Sequence, residues 1–217
     1  MPAQPKTSAP GFRGLRLVAG HPALDLVNSV KYRGQADPQD RLVDYPAVVA
    51  WARVAGILDA AEEAALTRLD GGDGGSDGGG DVWQKVLVLR ESLWALLNRE
   101  QVSKAAASRA QKAIETAISG LRYKAVIDPE SGVLRQVIEL RAPKDLLARI
   151  AGSIADLLTR RQDLLIKTCD GCDCDWLFID RTKARRRRWC DTRTCGNLAR
   201  VRSFREKRQT TAQDHAG

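Results

Sequence analysis

Residues 169–208 read CDGCDCDWLFIDRTKARRRRWCDTRTCGNLARVRSFREKR. This segment contains all five cysteines of the 217-residue chain. They are Cys169, Cys172, Cys174, Cys190 and Cys195. Thiols at these spacings are typical of a tetrahedral zinc site, in which two turns each donate two sulfur atoms. The sequence therefore predicts one zinc ion with a structural role, because four thiolates leave no position for water or substrate.

The second pair of ligands is Cys190 and Cys195, whereas the first pair has alternatives. Cys169 and Cys172 form the C-x2-C spacing that zinc knuckles most often use. Cys169 and Cys174 instead form a C-x4-C loop of the same size as the second one. The residues alone leave both possibilities open.

Disulfides are the alternative to a metal, but they are typical of exported proteins. The first ten residues contain three prolines and no apolar run that could serve as a signal peptide. No stretch of the chain approaches the roughly 18 apolar residues of a membrane helix. We therefore expect a cytoplasmic protein with reduced, metal-bound cysteines and no association with a membrane.

Positive charge is concentrated in the same part of the chain. Residues 181–208 contain twelve basic and two acidic residues, a net charge of +10, whereas the whole chain has +8. Guanidinium groups bind phosphate through paired donors, and a charge run of this size is costly without a polyanionic partner. We therefore expect nucleic-acid binding through arginines. The candidates are Arg185, Arg186, Arg187, Arg188, Arg200, Arg202, Arg205 and Arg208.

A module of about 40 residues has too little apolar surface to fold alone, so zinc binding is expected to supply most of its folding free energy. Trp176, Phe178 and Trp189 are the large apolar side chains of the segment. We expect them to form its small core rather than to stack on bases.

The preceding part of the chain, residues 11–167, is predicted to be mostly helical. Apolar residues recur at intervals of four and three between residues 82 and 96, which is helical periodicity. Two runs rich in β-branched residues, within 121–140, surround a turn sequence and predict a β-hairpin. Residues 71–80, GGDGGSDGGG, contain seven glycines and predict a flexible loop.

These patterns predict an α+β protein that is mostly α. A helical domain with a small hairpin, 11–167, precedes a four-cysteine zinc module, 168–208. Residues 1–10 and 209–217 are predicted to be a disordered leader and tail from their composition.

The segment between residues 20 and 44 is predicted to begin with a Gly-His-Pro turn and a helix over 23–30. A loop is predicted over 31–44, and Asp44 is predicted to cap the next helix. His21, Asp25 and Asn28 are spaced by four and three residues, which places them on one side of a helix. They could line a small-molecule pocket, or they could cap and brace the Gly-His-Pro turn through buried hydrogen bonds.

The cysteine segment resembles a known zinc-binding family. The run CDWLFID at 174–180, then RRWC at 187–190, then Cys195-Gly196-Asn197 and a basic helix is similar to the CGNR-type zinc finger of bacterial regulators. The resemblance implies the ligands Cys169, Cys174, Cys190 and Cys195, with Cys172 as an extra thiol. The family's arginine after Gly-Asn is Leu198 here, so the role of that arginine does not carry over.

The N-terminal part resembles the usual partner of that zinc finger, the ABATE domain of predicted stress-related transcriptional regulators. The likeness lies in GHPALDLVN at 20–28 and in Asp40-Arg41-Leu42 with the following Tyr45 and Trp51. It implies a DNA-binding regulator whose N-terminal domain senses a signal or forms a homodimer.

No nucleophile and base pair, phosphate-binding loop or paired carboxylates stand out, so we do not expect an enzyme. The favoured function is a transcriptional regulator that binds DNA through phosphate contacts. An RNA-associated protein is the alternative, as is an enzyme or small-molecule-binding protein with a site around His21.

Overall fold

The computed structural model describes residues 17–70, 78–171 and 174–214, with side chains as far as Glu206 except that of Asp70. The predicted leader, the first seven residues of the glycine-rich segment and Cys172 lie outside the described residues.

The described residues form mostly helices, with short antiparallel strands in pairs. The helices are α1 (Pro22–Val27), α2 (Tyr45–Val54), α3 (Ala60–Asp70), α4 (Gly79–Leu97), α5 (Lys104–Ser119), α6 (Pro143–Thr159) and α7 (Cys195–Asp214). The strands are β1 (Val30–Lys31), β2 (Gln39–Asp40), β3 (Lys124–Ile127), β4 (Leu134–Val137), β5 (Ile166–Thr168) and β6 (Leu177–Ile179). The predicted fold class, mostly α with a small hairpin and a four-cysteine module, is confirmed.

The chain divides into two compact units that do not follow one another along the sequence. The helical unit contains residues 41–160, and the cysteine unit combines residues 18–40 with 161–217. The prediction had placed 18–40 in the N-terminal domain. In the structure this segment belongs with the cysteines, because it is hydrogen-bonded to the strand between the two cysteine pairs.

The helical unit contains α2 to α6 and the β3–β4 hairpin. The side chain of Asp44 accepts a hydrogen bond from the backbone N–H of Ala47 at 2.8 Å, which confirms the predicted cap of α2. Ser103 caps α5 in the same way, through Ala106. Trp51 on α2 and Leu93 on α4 are fully buried, and α4 packs against α2, α5 and α6. The apolar residues that recur between 82 and 96 thus lie at the centre of this unit.

The β3–β4 hairpin lies inside the predicted runs. Its register pairs Lys124 with Val137 and Ile127 with Leu134. The carboxylate of Asp128 accepts hydrogen bonds from the backbone N–H groups of two turn residues, and Gly132 has a φ of 68°. A positive φ favours glycine, so the turn sequence explains this hairpin.

The structure differs from the predicted elements in three places. Helix α1 ends at Val27 because its last turn tightens, with Ser29 N–H bonded to the Leu26 carbonyl, and β1 and β2 then pair within the predicted loop. Helix α4 begins at Gly79, inside the predicted glycine-rich loop. Helix α7 continues to Asp214, into the segment predicted to be a disordered tail, and no proline or glycine interrupts it there.

The cysteine unit has a small core of its own. Strand β5 pairs antiparallel with β6, and the N–H of Ile179 in β6 donates to the carbonyl of Ala19 at 2.8 Å. Phe178 is fully buried together with Cys169 and Cys190. The remaining members of this cluster are the half-buried Val18, Cys174, Trp176, Trp189 and Cys195. The aromatic core expected from the sequence is therefore present.

Among the helices that the structure describes, none is long and apolar enough to cross a membrane.

Candidate metal centre and nucleic-acid interface

Four cysteines of the cysteine unit converge on one point. The sulfur atoms of Cys169, Cys174, Cys190 and Cys195 all lie within 4.8 Å of one another. The Sγ atom of Cys190 lies 3.7 Å from that of Cys174 and 3.6 Å from that of Cys195. Zinc–sulfur bonds of 2.3 Å in a tetrahedron place sulfur atoms about 3.8 Å apart. The spacing of these sulfurs therefore fits a zinc ion.

The backbone around the sulfurs is shaped to keep them close and charged. The N–H groups of Gly171 and Cys190 donate to the Sγ of Cys169 at 3.4 and 3.2 Å, which favours the thiolate. A Cβ atom at Gly171 would lie 3.1 Å from the Cβ of Cys174 and 3.4 Å from the Sγ of Cys169. A side chain at this position would therefore push against both cysteines.

Three of the cysteine thiols influence one another's pKa. Hydrogen bonds from the thiols of Cys174 and Cys190 lower the pKa of Cys169, so one thiolate forms readily. That thiolate raises the pKa of Cys174 and of Cys190, because each gives it a hydrogen bond and faces its charge. A divalent cation bound to the sulfur atoms favours the thiolate form, which is the ordinary coupling of zinc binding to proton release.

The N-terminal segment braces the strand that follows Cys174. The buried Asn28 side chain makes two hydrogen bonds of 2.8 Å with the backbone of Leu177, donating to its carbonyl and accepting from its N–H. The indole N–H of Trp176 donates to the carbonyl of Val30 at 3.1 Å. These contacts tie residues 28–30 to the metal centre.

The other two polar residues of the N-terminal motif are also buried in hydrogen bonds. The Nδ1 atom of His21 accepts from the N–H of Ala23 and caps α1. The Oδ1 atom of Asp25 accepts from the N–H groups of Val18 and Ala19 at 3.2 and 3.1 Å. Burial raises the pKa of Asp25 to about 6, although these two bonds oppose the shift. The contacts are of the kind expected from capping and bracing, and the small-molecule pocket stays a prediction.

Residues 181–188, the arginine loop, are held by a buried carboxylate. Asp180 accepts hydrogen bonds from Lys167 at 2.7 Å, from the hydroxyl of Thr182 at 2.6 Å and from the backbone N–H of Arg187 at 3.0 Å. Burial would raise the pKa of Asp180, but these bonds outweigh it and lower the pKa. The Lys167 ammonium also donates to the carbonyls of Arg185 and Arg187. The loop therefore has a fixed backbone.

Arg187 differs from its neighbours in the loop. Its guanidinium donates to the carbonyls of Val18 at 3.1 Å and Trp189 at 2.9 Å, and also to that of Cys190. It lies over the ring of Phe178, 4.4 Å from the centroid. These contacts give Arg187 a structural role, because its donors hold the backbone that leads to Cys190, and its predicted phosphate contact stays a prediction.

The remaining candidate arginines with described side chains are exposed. They are Arg185, Arg186 and Arg188 in the arginine loop and Arg200, Arg202 and Arg205 on α7. Arg188 pairs with Asp170 at 2.8 Å and Arg202 with Glu206 at 3.1 Å. The Arg208 side chain lies outside the described part of the chain. The structure thus places two groups of three arginines on the cysteine unit.

Sequence reasoning did not single out Lys167 and Asp180, which organise the arginine loop. Both are single charged residues beside short apolar runs, and their pairing at 2.7 Å depends on the β5–β6 register. The one local signal is the Asp-x-Thr spacing at 180–182, which is typical of a side chain that bonds the backbone two residues on.

A four-cysteine zinc module combined with a helical domain is the class of protein that this fold and site define. Residues 166–208 match the family model of the CGNR zinc finger. Residues 20–161, more than half of the chain, match the ABATE model, described as "Putative stress-induced transcription regulator".

The chain therefore belongs to the ABATE family and carries a CGNR zinc finger, as the resemblance in the sequence implied. The zinc-finger match and the four-cysteine group together identify a structural zinc site. The families are of regulatory and zinc-finger type rather than enzyme families. No curated protein matches the chain.

Proposed function

We propose that the protein is a DNA-binding transcriptional regulator whose cysteine unit grips phosphates through its exposed arginines. The ligands of the zinc ion are Cys169, Cys174, Cys190 and Cys195. The single observation that carries the proposal is that two exposed arginine groups, in the arginine loop and on α7, lie along the chain on either side of Cys190 and Cys195 of the four-cysteine cluster.

The metal centre gives these arginines a defined arrangement. The arginine loop leads through Trp189 to Cys190, and α7 begins at Cys195. A zinc ion bound to both cysteines holds the loop and the start of the helix in one relation. Preorganised guanidinium groups lose less entropy when they meet phosphates, which supports binding to a polyanion.

Salt dependence of binding tests the proposal. If the six exposed arginines each neutralise one phosphate, the logarithm of affinity for duplex DNA should fall with the logarithm of salt concentration with a slope of about −5. Fluorescence anisotropy of a labelled duplex, titrated with the zinc-loaded full-length chain at several salt concentrations, gives this slope. Absence of binding at low salt would contradict the proposal.

The double variant Arg185→Ala/Arg186→Ala should make the slope shallower by about two. A matched control is Arg109→Ala/Lys112→Ala, two exposed basic residues on α5 of the helical unit. This control removes the same charge and should leave the slope unchanged. If both double variants changed the slope equally, binding would depend on the net charge of the chain and not on a defined arginine surface.

Structured RNA is the competing partner, because the same arginines can bind either backbone. The same titration with an RNA hairpin decides between them. Tighter binding of the RNA at equal salt concentration would contradict the proposed DNA-binding function and would indicate an RNA-associated protein instead.

We also propose that the helical unit senses a signal or forms a homodimer. The β3–β4 hairpin supports an interaction of this unit, because Ile127 and Leu134 are 67% and 61% exposed at its end. Sedimentation of the wild type and of Ile127→Ser/Leu134→Ser tests it. For a homodimer, the expected result is that the wild type sediments as a dimer and the variant as a monomer. A monomeric wild type would contradict the proposed homodimer.

A further inference from the structure

A groove of about 480 Å³ lies between the arginine loop and α7 in the cysteine unit. Arg188 and Trp189 line it from the side of the loop, and Arg200 and Phe204 line it from the helix. Arg200 and Phe204 are one helical turn apart, so their side chains lie on the same face of α7. The groove thus combines two cationic and two aromatic side chains.

The charge of the groove is positive. Among the described residues that line it, Asp170 is the one acidic residue, and its carboxylate is paired with Arg188 at 2.8 Å. Arg200 is exposed at the groove. The groove therefore presents an excess of positive charge to a ligand.

The aromatic side chains have different environments. The ring of Trp189 rests against Gly196, where a Cβ atom would lie 3.3 Å from it, and the Arg188 guanidinium lies 5.3 Å from its centroid. Phe204 is 61% exposed. A large apolar ring at such exposure, beside arginines, is typical of a stacking surface for bases in single-stranded nucleic acid.

We infer that this groove binds one unpaired nucleobase, which stacks on Phe204 while Arg188 and Arg200 contact the adjoining phosphates. The inference rests on the proposed function, because it assumes that the arginines bind a nucleic-acid backbone. It adds that the ligand has an unstacked base. In an intact duplex each base lies between its neighbours, so its face is not available to a side chain.

Binding of single strands and duplexes by the zinc-loaded full-length chain tests the inference. The probes are a fluorescein-labelled 20-nucleotide oligothymidylate and a 20-base-pair duplex of mixed sequence, compared by anisotropy at the same salt concentration. The substitution Phe204→Ala should weaken binding of the single strand about fivefold or more, which is the usual loss for one stacked base. Duplex affinity should change less than twofold.

The matched control is Leu198→Ala. Leu198 is 64% exposed on the same helix and does not line the groove. This substitution should leave both affinities unchanged. A second variant, Phe204→Leu, keeps an apolar side chain without a ring and should weaken single-strand binding as Phe204→Ala does. Zinc content and circular dichroism identify any variant that fails to fold.

Three outcomes would overturn the inference. Phe204→Ala could leave the affinity for the single strand unchanged, or it could weaken binding of the single strand and of the duplex equally. Phe204→Leu could bind the single strand as tightly as the wild type does. The proposed function would stand in each case, provided that Arg185→Ala/Arg186→Ala still weakens binding. Failure of the wild type to bind either probe would instead remove the proposed function.

Discussion

At the scale of single residues, Asn28 joins two parts of the cysteine unit that are 149 positions apart. Its amide satisfies both the N–H and the carbonyl of Leu177, and all of these groups are buried. Asn28→Ala should lower the free energy of unfolding of this unit by about 2–4 kcal/mol, because two buried backbone groups lose their partner. Urea unfolding followed by zinc release to a chromogenic chelator measures the change.

Asn197→Ala is the control for this prediction, because Asn197 is exposed in the same unit. It should change the stability by no more than about 0.5 kcal/mol. Equal stability of the two variants would show that Asn28 is dispensable for the cysteine unit.

Arg187 and Arg186 are adjacent but should respond differently to substitution. Arg187→Ala removes hydrogen bonds to four carbonyls and the contact with Phe178, and should destabilise the unit by about 2–3 kcal/mol. Arg186→Ala should leave stability within about 0.5 kcal/mol. Arg187→Lys should not restore the wild-type value, because an ammonium lacks the planar set of donors. The same zinc-release assay compares the three variants, and equal stabilities would contradict the structural role.

The raised pKa of Asp25 makes stability depend on pH. Burial brings this pKa to about 6, whereas an unfolded aspartate titrates near ~3.9. The stabilising contribution of the neutral carboxyl is therefore complete below about pH 4 and is lost as the pH rises through 6. Asp25→Asn keeps the Oδ1 acceptor and cannot ionise. Its stability relative to the wild type should be about 1 kcal/mol more favourable at pH 7 than at pH 5.

Urea unfolding of both proteins at the two pH values checks this difference. Both carry the same cysteines, so the pH dependence of zinc binding cancels when they are compared. A difference that does not change with pH would show that Asp25 does not titrate in this range.

At the scale of elements, the segment 18–40 completes the cysteine unit. It supplies Asn28, the carbonyl that receives the N–H of Ile179, and the carbonyls that receive Arg187 and Trp176. A polypeptide of residues 161–217 should therefore bind zinc at least about tenfold more weakly than one in which 18–40 is joined to it, because metal binding is coupled to folding. Competition with a chelator of known affinity measures this ratio.

The joined polypeptide carrying Asn28→Ala is the matched control and should fall between the two. Equal zinc affinity of the short and the joined polypeptides would show that the CGNR segment folds without its N-terminal partner.

Elements with local signals could be predicted from the sequence. Asp44 precedes its helix with a proline in the first turn, the hairpin around Asp128 has a turn sequence, and the cysteine spacing indicates a metal. Strands β1 and β2 have two residues each, which is too short for any periodicity. The partner of Asn28 and the role of Arg187 depend on residues far along the chain, and Arg187 looks like its three arginine neighbours. Such contacts have no local signature.

At the scale of the whole molecule, the two units should respond differently to removal of the metal. The core of the cysteine unit is built around its ligands, whereas the helical unit has an apolar core without them. Chelation of zinc should unfold the cysteine unit and abolish nucleic-acid binding, while most of the helical circular dichroism remains. Limited proteolysis with and without chelator should show cleavage confined to residues of the cysteine unit. Protection of that unit in the metal-free protein would contradict the prediction, and restored protection on adding zinc is the control.

The order of the two units along the chain has a consequence for synthesis. The helical unit interrupts the cysteine unit, so residues 18–40 leave the ribosome more than a hundred residues before Cys169. At about 5–20 residues per second, residues 18–40 are synthesised on the order of ten seconds before Cys169, and the helical unit can fold in that interval. A chain released prematurely has neither the sulfur ligands nor a partner for Asn28. Only a finished copy therefore contains every group that assembles the metal centre, and incomplete products lack the arginine arrangement on which the proposed binding depends.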